Sequence, residues 1–119
     1  MKQTKIKFKR GDIIKITLNP TVGRELQGER RPALVLSSED FHQLGFMFIA
    51  PITTGNAEIA RNNGFAVTLS GTGCITDGAV IAYQARTIDF ISRHAEKIEE
   101  VPEYIVTEVQ DILDAILKD

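Results

Sequence analysis

Arg31-Pro-Ala-Leu-Val-Leu-Ser37 and, beyond Gly45, Phe46-Met-Phe-Ile-Ala-Pro51 are the stretches on which the fold turns. In the first, Pro32 opens the apolar run Ala33 to Leu36, and Ser37-Ser38 closes it; in the second, Phe46 to Ala50 stops at Pro51. The two runs lie near enough in sequence to pair as adjacent antiparallel strands in the centre of a sheet. Upstream, Asp12 to Leu18 alternates Ile14, Ile16 and Leu18 with Lys15 and Thr17, the period of a half-buried strand. Asn19-Pro20 ends it, and Thr21 to Arg31, polar and containing Gly23 and Gly28, reads as an exposed loop of the kind that carries function. Residues 1–11 read as a polar lead-in.

Downstream, Thr53-Thr54-Gly55-Asn56 reads as loop, and Phe65 to Leu69 alternates with Phe65, Val67 and Leu69 on one side. Ser70-Gly-Thr-Gly73 is a break, and Asp77-Gly78 is a turn before the run Ala79 to Tyr83. Further short extended elements are expected at Thr87 to Ile91 and around Ala95 to Ile98. After Pro102 the period changes: Tyr104, Ile105, Val109, Ile112, Leu113, Ile116 and Leu117 form the stripe of an amphipathic helix about four turns long. Pro102 suits its first turn and Lys118 its last. Short strands followed by one helix predict a mainly β domain, a small curled antiparallel sheet or partly open barrel, spanning residues 1–119 as one unit. So little interior volume makes oligomerisation through an apolar face an expectation.

The 119 residues are 43% hydrophobic but only 7% aromatic, with no Trp, so Ile, Leu, Val and Ala must build the core. The net charge of −2 is unevenly spread. Lys2, Lys5, Lys7, Lys9 and Arg10 open the chain, whereas Glu96, Glu99, Glu100, Glu103, Glu108, Asp111, Asp114 and Asp119 crowd its last quarter. A basic or neutral working face can therefore coexist with an acidic back, although charge of this size is more often a solvated surface. The single Cys74 excludes an intrachain disulfide and a thiolate metal site. No apolar run approaches the roughly 20 residues that span a bilayer, and the basic N-terminus leads into no secretory-type apolar stretch. A cytoplasmic protein is the expectation.

Metal catalysis is disfavoured, because His42 and His94 are far apart, neither belongs to a zinc-like cluster, and the acidic residues lack calcium-loop spacing. Gly71-Thr-Gly73 is too short for a phosphate or dinucleotide loop, so no cofactor is expected. More informative is the polar loop that delivers Arg31 to the start of a central strand, where a planar guanidinium can clasp a phosphoryl group. Thr53 follows the neighbouring strand, and antiparallel pairing can bring its hydroxyl close to Arg31. Arg31 in a surface ion pair and Thr53 capping a turn is the plainer alternative. Gln84-Ala-Arg86 ends another strand: Gln84 can read a base edge or phosphate, and Arg86 can bind backbone or pair with Asp89.

Taken in order, several segments resemble the MazF, PemK/Kid and ChpB family of plasmid-maintenance and growth-inhibiting toxins. They are Arg10-Gly-Asp-Ile13, Asn19-Pro20 with Gly23 and Glu25, Gln27-Gly28, Arg31 to Ser37, Ala50-Pro-Ile-Thr53, Gly64-Phe65, Gly78 and Gln84-Ala-Arg-Thr-Ile-Asp89. The resemblance implies an SH3-like barrel with a C-terminal helix, assembled as a homodimer. It implies sequence-selective, metal-independent cleavage of single-stranded mRNA, growth arrest, and inhibition by a cognate antitoxin. On the matching positions, Arg31 and Thr53 take the catalytic roles; Glu25, Gln84 and Arg86 bind RNA or support the active site, and Tyr83 offers a ring or phenol to it. The Kid branch has an arginine and an aspartate in its late strand, where this chain has Ile81 and Tyr83, and a histidine in its first loop, where this chain has Arg24. That departure favours an Arg31/Thr53 arrangement and leaves the proton acceptor open, since arginine and threonine are poor bases near neutral pH. The competing readings are a non-enzymatic toxin that binds a cellular protein such as gyrase, and a nucleic-acid-binding regulator.

Overall fold

The central apolar runs do become adjacent antiparallel strands, and the rest of the domain is arranged around the second of them. A computed structural model of the chain describes residues 7–17, 30–54 and 64–118; the expected loops over 21–29 and 55–63, and Leu18, lie outside the described residues. The elements are β1 (Asp12–Thr17), β2 (Arg30–Val35), a short helix α1 (Glu39–His42), β3 (Phe46–Thr53), β4 (Ala66–Thr68) and β5 (Ala79–Ile81). A single 3-10 turn (Ala82–Gln84), β6 (Arg86–Asp89), β7 (Glu96–Glu100) and the C-terminal helix α2 (Glu103–Leu117) follow. Every strand pair is antiparallel. The order is β4-β5-β3-β2-β1-β7, with β6 attached to β3, and the ladder does not close on itself among the described residues.

Two of the three prolines expected to bound strands, Pro32 and Pro51, lie inside them, and Pro20 lies outside the described residues. β3 runs through Pro51 to Thr53 because its free flank is shared: Phe46 to Ile49 pair with β6, and Ile52 and Thr53 pair with β5. Pro51 falls between the two ladders, where a missing N–H costs least. β2 likewise starts at Arg30, with Arg31 opposite Ile16 and Pro32 opposite Lys15, whereas pairing with β3 begins only at Ala33. At Pro32 the strand has one partner, the edge-like setting in which proline is tolerated.

The strands bury residues on both faces. Ile13, Leu34, Ala50, Ile52 and Val80 pack toward α2, against its Ile105 and Val109. Ile14, Ile16, Ala33, Val35, Met47, Ile49 and Ile88 fill the opposite concavity with Phe8. The expectation that β1 is half buried is thereby corrected, since Ile13 is as fully enclosed as Ile14; the lead-in also contributes a core residue, Phe8. Phe65, expected beside Val67 and Leu69, is exposed and precedes β4. On α2 the buried stripe is narrower than its period suggested: Ile105, Val106 and Val109 are enclosed, while Tyr104, Ile116 and Leu117 face solvent. Pro102 sits at the N-cap in extended conformation, one residue before the first turn.

The buried Asp12 joins the start of β1 to its surroundings. Its Oδ2 accepts the Lys9 amide at 2.8 Å, and the Lys97 ammonium of β7 lies 3.4 Å from Oδ1, so the carboxylate does not stand uncompensated in the interior.

Candidate active site

The register between β2 and β3 decides how the two leading candidates meet. Ala33 is opposite Pro51 at the end of the ladder, and Arg31 and Thr53 each lie two residues beyond that pair, past the last paired position. Arg31 is opposite Ile16 in one row, and Thr53 is opposite Ala79 in another. Side chains in such a row share a face. Because Ala33 and Val35 on β2, and Met47 and Ile49 on β3, line the concavity, Arg31 and Thr53 stand at its rim. Arg31 is exposed and Thr53 half-buried; both belong to strands, not to the loops expected for them. Among the described residues the Thr53 hydroxyl has no hydrogen-bond partner.

The backbone behind Thr53 is closely backed. Gly78, with φ +112°, lies so near that a Cβ built on it would be 2.1 Å from the Thr53 carbonyl oxygen. The sequence marked Gly78 only as a turn; its second property is this close approach, which holds the end of β3 in place.

Arg86 opens β6 opposite Ile49, on the same face as Ile88, and so joins the concave side that carries Arg31 and Thr53. It is exposed, with no hydrogen-bond partner among the described residues. Asp89, expected as its carboxylate partner, is engaged elsewhere: Oδ1 accepts the amides of Ile91 at 3.2 Å and Ser92 at 3.1 Å and shapes the turn after β6. That turn delivers Arg93, a residue sequence reasoning missed. Its guanidinium donates to the Thr17 carbonyl at 3.1 Å, while its own carbonyl accepts the Thr17 amide at 2.9 Å. Burial and the neighbouring Arg86 charge both lower the Arg93 pKa, against an opposing pull from Asp89. Arg30, likewise unassigned, bonds Thr17 Oγ1 and the His94 carbonyl and pairs with Glu96 at 2.9 Å. Arg30 precedes Arg31 in β2 and so points to the opposite face, while the turn after β6 ties Arg93 to the end of β1.

Gln84 and Tyr83 are the exposed residues of the 3-10 turn between β5 and β6, whose Ala82 is buried, and belong to no strand. Since β5 and β6 flank β3 on either side of Pro51, the turn lies beside the middle of that strand. Ile81, buried at the end of β5, offers no proton acceptor. Glu25 and Arg24 lie outside the described residues. His42 is a hydrogen-bonded residue, with Nε2 2.7 Å from Ser37 Oγ and Nδ1 3.0 Å from the Phe8 carbonyl oxygen. Among the described residues no group of three His, Cys, Asp or Glu side chains could hold a metal ion. No helix among them is long and apolar enough to cross a membrane.

Fold and site together define a small curled antiparallel β domain with an arginine-rich, hydroxyl-bearing rim. Residues 9–117 match the family described as the PemK-like, MazF-like toxin of type II toxin-antitoxin systems, and the chain belongs to that family. It is 40% identical over 111 residues to the endoribonuclease PemK of Escherichia coli, covering 92% of this chain and 82% of that protein. It is 40% identical over 114 residues to the endoribonuclease toxin ChpB of Escherichia coli K12, covering 96% and 97%. A crystal structure of MazE-MazF from Deinococcus radiodurans superposes with a TM-score of 0.78 at 34% identity, covering 95% of this chain and 97% of that one.

Proposed function

We propose that this toxin is an endoribonuclease that cuts single-stranded mRNA in the cytoplasm, acts as a homodimer, and is silenced by a cognate antitoxin. The observation that carries the reading is that strand alternation sets Arg31, Thr53 and Arg86 on one face of the sheet, in a chain 40% identical to two endoribonucleases over most of its length. The RNA supplies its own nucleophile. Its 2′-hydroxyl attacks the adjacent phosphorus, the bond to the 5′-oxygen breaks, and a cyclic phosphate and a 5′-hydroxyl end result. Arg31 stabilises the charge that accumulates on the phosphoryl oxygens, and Thr53 fixes a nonbridging oxygen or the reacting hydroxyl. Arg86 contacts the RNA backbone, and Gln84 and Tyr83 contact the bases or flanking nucleotides. Glu25, on its resemblance to the family pattern, helps to bind RNA or supports the active site. Because the nucleophile is internal, no metal-bound water is required to supply it.

Purified protein incubated with a defined single-stranded RNA in excess EDTA is expected to produce discrete cuts ending in cyclic phosphate. Binding without cutting would favour the nucleic-acid-binding regulator, and inhibition of gyrase without either would favour the protein-binding toxin.

A further inference from the structure

The two ends of the open strand order, the β4–β5 hairpin and β7, are joined by a side chain and not by a ladder. Glu99 of β7 reaches the connection between β4 and β5. Its Oε1 accepts the Ile75 amide at 3.0 Å, and its Oε2 accepts the Thr76 amide at 2.8 Å and the Thr76 hydroxyl at 2.6 Å. The other hydrogen bond from this turn to β7 among the described residues is the long contact of the Cys74 thiol to the Glu100 carbonyl, 3.9 Å. Two residues beyond Thr76 comes Gly78, whose carbonyl accepts the Leu69 amide at 2.9 Å and whose backbone abuts the Thr53 carbonyl. Ala79 then pairs with Thr53 itself.

We infer that Glu99 is a positioning residue for RNA cleavage: it latches the β4–β5 connection to β7 and so holds Gly78 and Ala79 against the strand end that presents Thr53. The inference rests on the proposed role of Thr53. The carboxylate state supports the latch, because burial pushes the Glu99 pKa up while the three hydrogen bonds from Thr76 and Ile75 prevail and leave it below its ordinary value. Glu99 touches neither Arg31 nor Arg86 in this arrangement. Its loss acts on the chemical step and leaves the electrostatic hold on the RNA backbone.

Glu99→Ala is expected to lower kcat about tenfold with the RNA KM within about twofold, and to speed hydrogen exchange at the Leu69 amide about tenfold. Thr76→Val, which deletes one of the three bonds and keeps the side-chain shape, is expected to move both readouts the same way by about threefold. The double variant is expected to be no worse than Glu99→Ala, because both changes open one latch. An unchanged kcat in folded Glu99→Ala, a change confined to KM, unaltered Leu69 exchange, or additive effects in the double variant would each overturn the inference. Should Glu99→Ala not fold, Thr76→Val carries the same test. Failure of the wild-type protein to cut RNA would count against the proposed function, whereas the exchange measurement reads the latch without RNA.

Discussion

Arg31→Ala is expected to reduce single-turnover RNA cleavage on the order of a thousandfold, the range found when a fixed donor to developing transition-state charge is removed. The expectation follows from position. Arg31 is held in β2 opposite Ile16 and two residues before the buried Ala33, so its guanidinium starts from a backbone that packing keeps still. Being exposed, it contributes little to stability, and unfolding free energy should change by less than about 1 kcal/mol. Arg31→Lys retains charge but loses the planar fork, so it should recover only a small part of the rate. Thr53→Ala should slow the same step while the protein still binds RNA. A parallel measurement of cleavage and urea unfolding checks all three; less than tenfold loss in Arg31→Ala would remove it from the reaction centre.

Gly78→Ala should be the most damaging small substitution at the site's base. The added Cβ would lie 2.1 Å from the Thr53 carbonyl oxygen, 2.8 Å from its carbonyl carbon and 3.1 Å from Thr54 Cα. All three are backbone atoms, so no side-chain rotation relieves the overlap. The residue is also held at φ +112°, which L side chains rarely adopt. Destabilisation on the order of 3 kcal/mol is expected, with cleavage falling as Thr53 is displaced. Gly71→Ala and Gly73→Ala supply the contrast. Both positions have positive φ, but a Cβ there meets nothing within 4 Å, so each should cost about 1 kcal/mol and leave cleavage nearly intact. Equal loss at Gly78 and Gly73 in urea titrations would show that close approach to Thr53 is not what Gly78 provides.

The strands were legible where burial imposes a two-residue period, as at Ile14 and Ile16, and α2 was legible from the change of period after Pro102. What local pattern could not convey was which flank of a strand is free. Pro32 and Pro51 read as boundaries because a proline lacks an amide, yet each occupies a strand position where one flank has no ladder to interrupt. Ile13 was misjudged for a related reason: alternation reveals one buried face, and here α2 covers the second, whereas Phe8, before β1, packs into the cluster on the face away from α2.

The site was legible to a different depth. Strand order suggested that Arg31 and Thr53 approach each other; their strands do pair, and the ladder ends two residues short of both. The resemblance to known toxins, not charge, selected them from 14 Lys and Arg residues and the many hydroxyls. Asp89 was misassigned because neighbours in sequence are not necessarily neighbours in space: its carboxylate is taken by the turn that brings Arg93 to Thr17. Tyr83 was read as part of a strand, but the chain leaves β5 at Ile81 and turns to reach the other half of β3.

The most direct measurement of the central claim uses one RNA, cut by the protein in EDTA at a mapped bond, and its twin carrying a single 2′-deoxy sugar on the 5′ side of that bond. The account predicts that the RNA ends in cyclic phosphate and that the deoxy twin binds yet stays intact at that bond. Cleavage of the deoxy twin there, in EDTA, would contradict it, because the nucleophile would then have come from somewhere other than the RNA held against Arg31 and Thr53.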